Sequence, residues 1–186
     1  MDDIQSEKYN LNYEALLQSL IDVIQENQVK IGYRKEVIRL YYPAKSINNL
    51  LGIQATSNEL LQKLKDFVIY SKTKLGEIQY SVNNDRFCFE IPEDGVEYIH
   101  QKTGENSFLK DFVQVMNGCH CDIHDIEQVF QKYSDSYHCE VAMNDEFDYL
   151  LWFDDGKPDE YMYCIKFEGS HAIYHRFTKK DYEDFD

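Results

Sequence analysis

Residues 46–76 read SINNLLGIQATSNELLQKLKDFVIYSKTKLG, and their punctuation divides them into a short helix, a tight turn and a longer helix. Gly52 suits the end of the first helix, because a residue without Cβ enters the left-handed C-cap conformation at little cost. Thr56-Ser57-Asn58-Glu59 is a capping box, in which the Thr56 hydroxyl and the Glu59 carboxylate each satisfy an amide that the first helical turn leaves open. From there Leu60, Leu61, Leu64, Phe67, Val68, Ser71 and Leu75 share one arc of a helical wheel. Asn58, Glu59, Gln62, Lys63, Asp66 and Thr73 lie opposite, and Gly76 ends the run.

Working outward, EVIRLYY (residues 36–42) is rich in β-formers and stops at Pro43, which cannot donate to a ladder and suits a helix start. Upstream, residues 12–28 place Leu16, Leu17, Leu20, Ile21, Val23 and Ile24 at helical spacing behind Asn12, a good N-cap. Downstream, EIQYSVNNDRFCFEI (residues 77–91) alternates Ile78, Tyr80 and Val82 with Phe87, Phe89 and Ile91 around the turn-rich tip Asn83-Asn84-Asp85. Helix, strand, helix, helix, hairpin is the order of a winged helix. Residues 36–42 should therefore join the hairpin in one small sheet, since two strands alone are marginally stable.

Pro92 opens a second section, with helices expected over 93–102, 105–116 and 122–133. Strands follow over 137–143, 147–153, 160–167 and 171–177, joined by the turn-like MNDE, DDGKPD and EGS, so an antiparallel meander is the simplest arrangement. Thr178-Lys179-Lys180-Asp181 looks like a further box that starts a short last helix. In the second of these strands Tyr149, Leu151 and Phe153 alternate with Leu150 and Trp152, so both faces of the sheet need cover. The fold class read from these patterns is α+β. A winged-helix-like N-terminal unit (1–91) precedes acidic helices and a four-stranded antiparallel meander (92–186), and the two could pack as one globule.

With 186 residues, 43% hydrophobic and 15% aromatic, the chain has enough apolar surface to offset chain entropy. No apolar run approaches the roughly 18 residues of a membrane span. The start MDDIQSEKYN lacks the basic and apolar regions of a signal peptide, so a soluble, cytoplasmic protein with no membrane association is expected. An odd number of cysteines, five, suits reduced thiols better than a disulfide framework.

The net charge of −15 is unevenly spread. Residues 30–91 hold ten Lys and Arg against six acids, whereas residues 92–186 hold eight against twenty-two. An electropositive island in an acidic chain points to a charged partner, and DNA is the sharpest candidate. Asn58, Gln62 and Lys63 on the longer helix would then read bases, while Lys45, Lys65 and Arg86 hold the backbone. Glu59 and Asp66 in the same polar arc, and the apolar Ile69 and Tyr70 beyond it, favour instead a protein-interaction module that meets a protein partner or a second copy of itself. A small enzyme with an unrecognised site is the third reading.

Other chemistry is thinly signalled. Gly118-Cys119-His120-Cys121-Asp122-Ile123-His124 has zinc-type donors, yet its two thiols lack a second nearby ligand pair, and an ordinary helix-joining turn is the better reading. Residues 154–160 gather four acids around Gly-Lys-Pro without the alternating donors of a calcium loop, which reads as a solvated turn. His171 and His175 lie outside any HExxH frame, and neither a phosphate loop nor a GxSxG elbow occurs. No catalytic residue, metal ligand or cofactor is assigned.

The segment IRLYYPAKSINNLLG (residues 38–52), with the helix and hairpin after it, resembles a domain-of-unknown-function family of small proteins from anaerobic Firmicutes. That resemblance implies no activity and no functional residues. The abundant Lys, Asn, Ile and Tyr suit a bacterium of low GC content.

Overall fold

The computed structural model describes residues 11–103 and 106–183 and divides the chain into two units, Met1–Gly104 and Glu105–Asp186. In the first, the Asn12 side chain accepts a hydrogen bond from the Ala15 N–H (3.1 Å) and starts α1, Tyr13–Ile31. Leu16, Leu17, Leu20, Ile21 and Ile24 of its apolar stripe are buried. The next strand, β1, is Ile38–Pro43. It begins two residues later than the β-rich run because Ile38 already sits opposite Ile91, the last residue of its partner strand. Ala44–Leu51 forms α2 and stops at Gly52, whose φ of 70° is the left-handed cap.

The capping box then opens α3, Ser57–Leu75, which buries Leu60, Leu64, Phe67, Ser71 and Leu75. The hairpin strands β2, Gln79–Asn83, and β3, Arg86–Ile91, pair antiparallel. With β1 on its other side, β3 is the central strand of a three-stranded sheet ordered β1-β3-β2. Phe87, Phe89 and Ile91 alternate inward from it and are fully buried. The Phe89 ring meets Phe67 of α3 edge-on at 6.3 Å, so the period-2 face of the sheet and the 3.6-period arc of the helix share one core.

The helix after Pro92, α4, is Glu93–Thr103. Grouped by pattern with the later acidic helices, it packs instead with α1 and α3 in the first unit. Two features of the sequence make that possible. A Cβ at Gly95 would lie 2.4 Å from the Leu75 carbonyl oxygen, so only glycine lets α4 start against the end of α3. Gln28, buried on α1, donates from Nε2 to the Val96 carbonyl (3.0 Å), and Val96 and Ile99 fill the remaining gap, each burial being worth about 1.5–3 kcal/mol.

In the second unit, α5 (Ser107–Met116) and α6 (Ile123–Tyr133) precede four strands: β4 (Tyr137–Val141), β5 (Tyr149–Phe153), β6 (Met162–Glu168) and β7 (His171–Phe177). All four are antiparallel neighbours in the order β4-β5-β6-β7. Both faces of this meander are apolar, and both are packed. On one, Phe108 and Phe112 of α5 and Phe130 of α6 meet Phe153 and Tyr163, with Phe112 edge-on to Tyr163 at 4.5 Å. On the other, Leu150, Met162 and Cys164 gather with Phe147, and Trp152, Phe177 and Tyr182 pack around them. Tyr182 belongs to α7, Lys179–Glu183, started by Thr178 accepting from the Asp181 N–H at 3.1 Å.

One turn departs from its pattern. Asp159, in the acidic loop between β5 and β6, is not solvated: it is 7% exposed. Its carboxylate accepts from the Tyr163 hydroxyl (2.9 Å) and from Arg176 (3.2 Å), and the Arg176 guanidinium lies over the Tyr161 ring at 4.2 Å. Arg176 reaches it from β7, a partner that local sequence cannot reveal.

Candidate functional site

The capping box decides how the start of α3 meets solvent. Both the Thr56 amide (2.8 Å) and the Thr56 hydroxyl (2.9 Å) donate to the Glu59 carboxylate. Those bonds, with Lys63 one turn on, hold its carboxyl below the ordinary glutamate range. Glu59 is thus turned back on its own helix start. Around it Asn58, Gln62 and Lys65 are exposed, and the Lys65 ammonium donates to the Gln62 side-chain oxygen at 2.7 Å. Lys63 is half-buried, and its carbonyl accepts from the Tyr13 hydroxyl (2.9 Å), which ties this turn to α1.

Lys45 and Arg86 belong to a second locus. Arg86 opens β3 opposite Pro43 and Asn83. The Ala44 N–H donates to the Asp85 carbonyl (2.7 Å), so the start of α2 and the hairpin tip are one junction with Lys45 and Arg86 on its two sides. Asn84, at φ 59°, makes the tight turn there.

The cations of residues 30–91 fall into two sets. Lys30 pairs with Glu26 (2.7 Å), Lys35 with Glu97 (2.8 Å), Arg39 with Glu90 (2.9 Å) and Lys74 with Glu14 (3.4 Å), and Lys72 pairs with Glu77. Glu14, Glu26 and Glu97 lie on α1 and α4, outside the basic stretch of sequence but inside its folded unit. Counted over residues 1–104, twelve Lys and Arg face fifteen acids. Folding therefore dissolves the island as a net charge. Among the described residues Arg34, Lys63, Lys65 and Arg86 make no ion pair.

The far half of α3 is different. Ile69 is 74% exposed, and Tyr70 donates to Glu14 (2.6 Å), a bond that raises its own pKa and lowers that of the glutamate.

In the second unit, Cys119 and Cys121 line a cleft of about 530 Å³ between α5 and α6. His120 between them has φ 64°, and its N–H donates to the Ser170 carbonyl (3.2 Å). His124 is hydrogen-bonded to Gln128 (3.0 Å) on its own helix. Among the described residues no three His, Cys, Asp or Glu side chains converge as metal ligands would. His138 pairs with Asp154 (2.7 Å) and stacks on Trp152, and both members of the pair are exposed. No helix is long and apolar enough to cross a membrane, among the described residues.

A family model described as "Domain of unknown function, E. rectale Gene description (DUF3877)" matches residues 13–185. The chain belongs to this family. The match carries the likeness seen over residues 38–52 across both units, so α1 through the C-terminal meander are one family unit in sequence. No curated protein and no solved structure gives a significant match to this DUF3877 chain.

Proposed function

We propose that the first unit is a winged helix that associates with duplex nucleic acid through the start of α3 and the β2–β3 hairpin, in a regulatory role. The order α1-β1-α2-α3-β2-β3 and the sheet order β1-β3-β2 support the winged-helix part. The observation that carries the functional part is the sorting of cations. Ion pairs engage Lys30, Lys35, Arg39, Lys72 and Lys74 and pass over Arg34, Lys63, Lys65 and Arg86, of which the last three lie at the start of α3 and on the hairpin, while the capping box ties the exposed Glu59 carboxylate to Thr56.

In this reading Lys65 exchanges the Gln62 oxygen for a phosphate, which releases the Gln62 amide to read an adenine edge beside Asn58. Lys45 and Arg86 hold the flanking backbone from the hairpin junction. The test is an anisotropy titration of a labelled mixed-sequence duplex with the full chain at low ionic strength. Binding is expected, and Lys63→Glu with Lys65→Glu should weaken it sharply while the far-ultraviolet circular dichroism stays unchanged. A wild-type chain that leaves the duplex unbound would sink the proposal in favour of a protein-interaction module, which the exposed Ile69 beyond the cation cluster favours.

A further inference from the structure

We infer that Cys119 and Cys121 form a reversible dithiol–disulfide couple, which reacts with low-molecular-weight disulfides carrying carboxylate and ammonium groups in the cleft between α5 and α6. The site lies wholly in the second unit and is independent of the nucleic-acid reading. Its first support is geometric. Both thiols line the same cleft, although residues two apart on an extended chain stand about 6.8 Å apart, at the limit of what a disulfide spans. The chain is not extended between them: His120 sits at φ 64°, in a turn that its bond to Ser170 holds.

The second support is the chemistry of the walls. Lys132 offers an ammonium for a carboxylate. It donates to Asp111 and retains further donors. Asp111 and Asp125 offer carboxylates for an ammonium. A disulfide built from amino-acid thiols carries both kinds of group around its sulfur pair.

The remaining cysteines are poorly placed to compete. Burial pushes the Cys164 thiol up to about 12, and burial with Glu127 beside it pushes Cys139 to about 11. Cys88 is half-buried within the three-stranded sheet. Cys119 is the exposed thiol and therefore the attacking one. Its thiolate displaces one thiolate from the small disulfide and leaves a mixed disulfide on Cys119. Cys121 then loses its proton and attacks the Cys119 sulfur, expelling the second small thiolate. Two protein thiols are oxidised to one disulfide, the small disulfide is reduced to two thiols, and the two protons end on those thiols. Burial, with Asp125 and Asp122 nearby, pushes the Cys121 thiol up, so this closing step should quicken as pH rises.

The experiment incubates the reduced full chain with oxidised glutathione and follows intact mass, free thiols and alkylated peptides. The expected product has lost two hydrogens and two of its five thiols, both mapped to the peptide holding residues 119 and 121. Cys121→Ser should stop at one glutathionyl adduct on Cys119. Lys132→Ala should slow the reaction with oxidised glutathione several-fold and leave that with uncharged 2-hydroxyethyl disulfide unchanged. Failure to form the internal disulfide, a disulfide or adduct mapped to Cys88 or Cys139 instead, or no adduct in Cys121→Ser overturns the couple. Equal slowing with both disulfides overturns the recognition by the cleft.

Discussion

If the cation sorting marks a phosphate-binding surface, two charge reversals of identical size should differ in their effect on the salt dependence of binding. Lys63→Glu/Lys65→Glu and Lys35→Glu/Lys72→Glu each make the net charge of −15 more negative by the same four units, so any effect of long-range repulsion is common to both. Lys35 and Lys72 are held by Glu97 and Glu77, whereas Lys63 and Lys65 make no ion pair among the described residues. With Lys45, Lys65 and Arg86 on phosphates and the base-reading Lys63 adding a fourth charge that displaces a counterion, the logarithm of affinity should fall with the logarithm of salt at a slope of about −3.6, or roughly 150-fold between 50 and 200 mM. Removing two contacts should reduce the slope to about −1.8, roughly 12-fold over the same range. The Lys35/Lys72 variant should bind more weakly at every salt concentration and keep the steep slope. Anisotropy titrations of one duplex at five salt concentrations measure all three slopes, with residual binding by the Lys63/Lys65 variant read at the lowest salt. If both variants show the same slope, the sorting of cations has no functional meaning and the interface assignment fails.

Three further outcomes test the architecture. Gly95→Ala, which gains up to about 1 kcal/mol of helix propensity, should nonetheless destabilise by about 1–3 kcal/mol, because its Cβ meets the Leu75 carbonyl at 2.4 Å; an unchanged urea midpoint would refute the close approach. Asp159→Ala should cost about 3–5 kcal/mol by removing the carboxylate that faces buried Arg176 and Tyr163, with Asp159→Ala/Arg176→Met recovering part of it; a loss below 1 kcal/mol would show that the pair is not held dry. Asp148, whose pKa is lowered by the Phe167 N–H (2.7 Å) and then by Lys166, contributes stability that is present above the unfolded aspartate pKa of about 3.9 and lost as pH falls through the depressed folded value. Urea midpoints measured downward from pH 5 should therefore fall less steeply in Asp148→Asn than in the wild type, and parallel curves would refute the assignment.

What the sequence determined by itself was local. Asn12, Gly52, Thr56 with Glu59, and Thr178 with Asp181 each act within a few residues of chain, so a helix start or stop could be read from them alone, and each stands where it was read. Alternation in the hairpin and in the four later strands likewise set which side chains share a face, because the β period belongs to the backbone itself. Only the tertiary structure decided what met those faces. Nothing near Pro92 announces that α4 joins the first unit, since that choice rests on the contact of Gly95 with Leu75 and on Gln28, sixty-eight positions away from Val96. Nor could a linear count of charge foresee that Glu14, Glu26 and Glu97 pair with cations of the basic stretch, because Coulomb partners are chosen by distance in space. Asp159 makes the same point: four clustered acids look solvated until Arg176 arrives from another strand and one of them is drawn into the core.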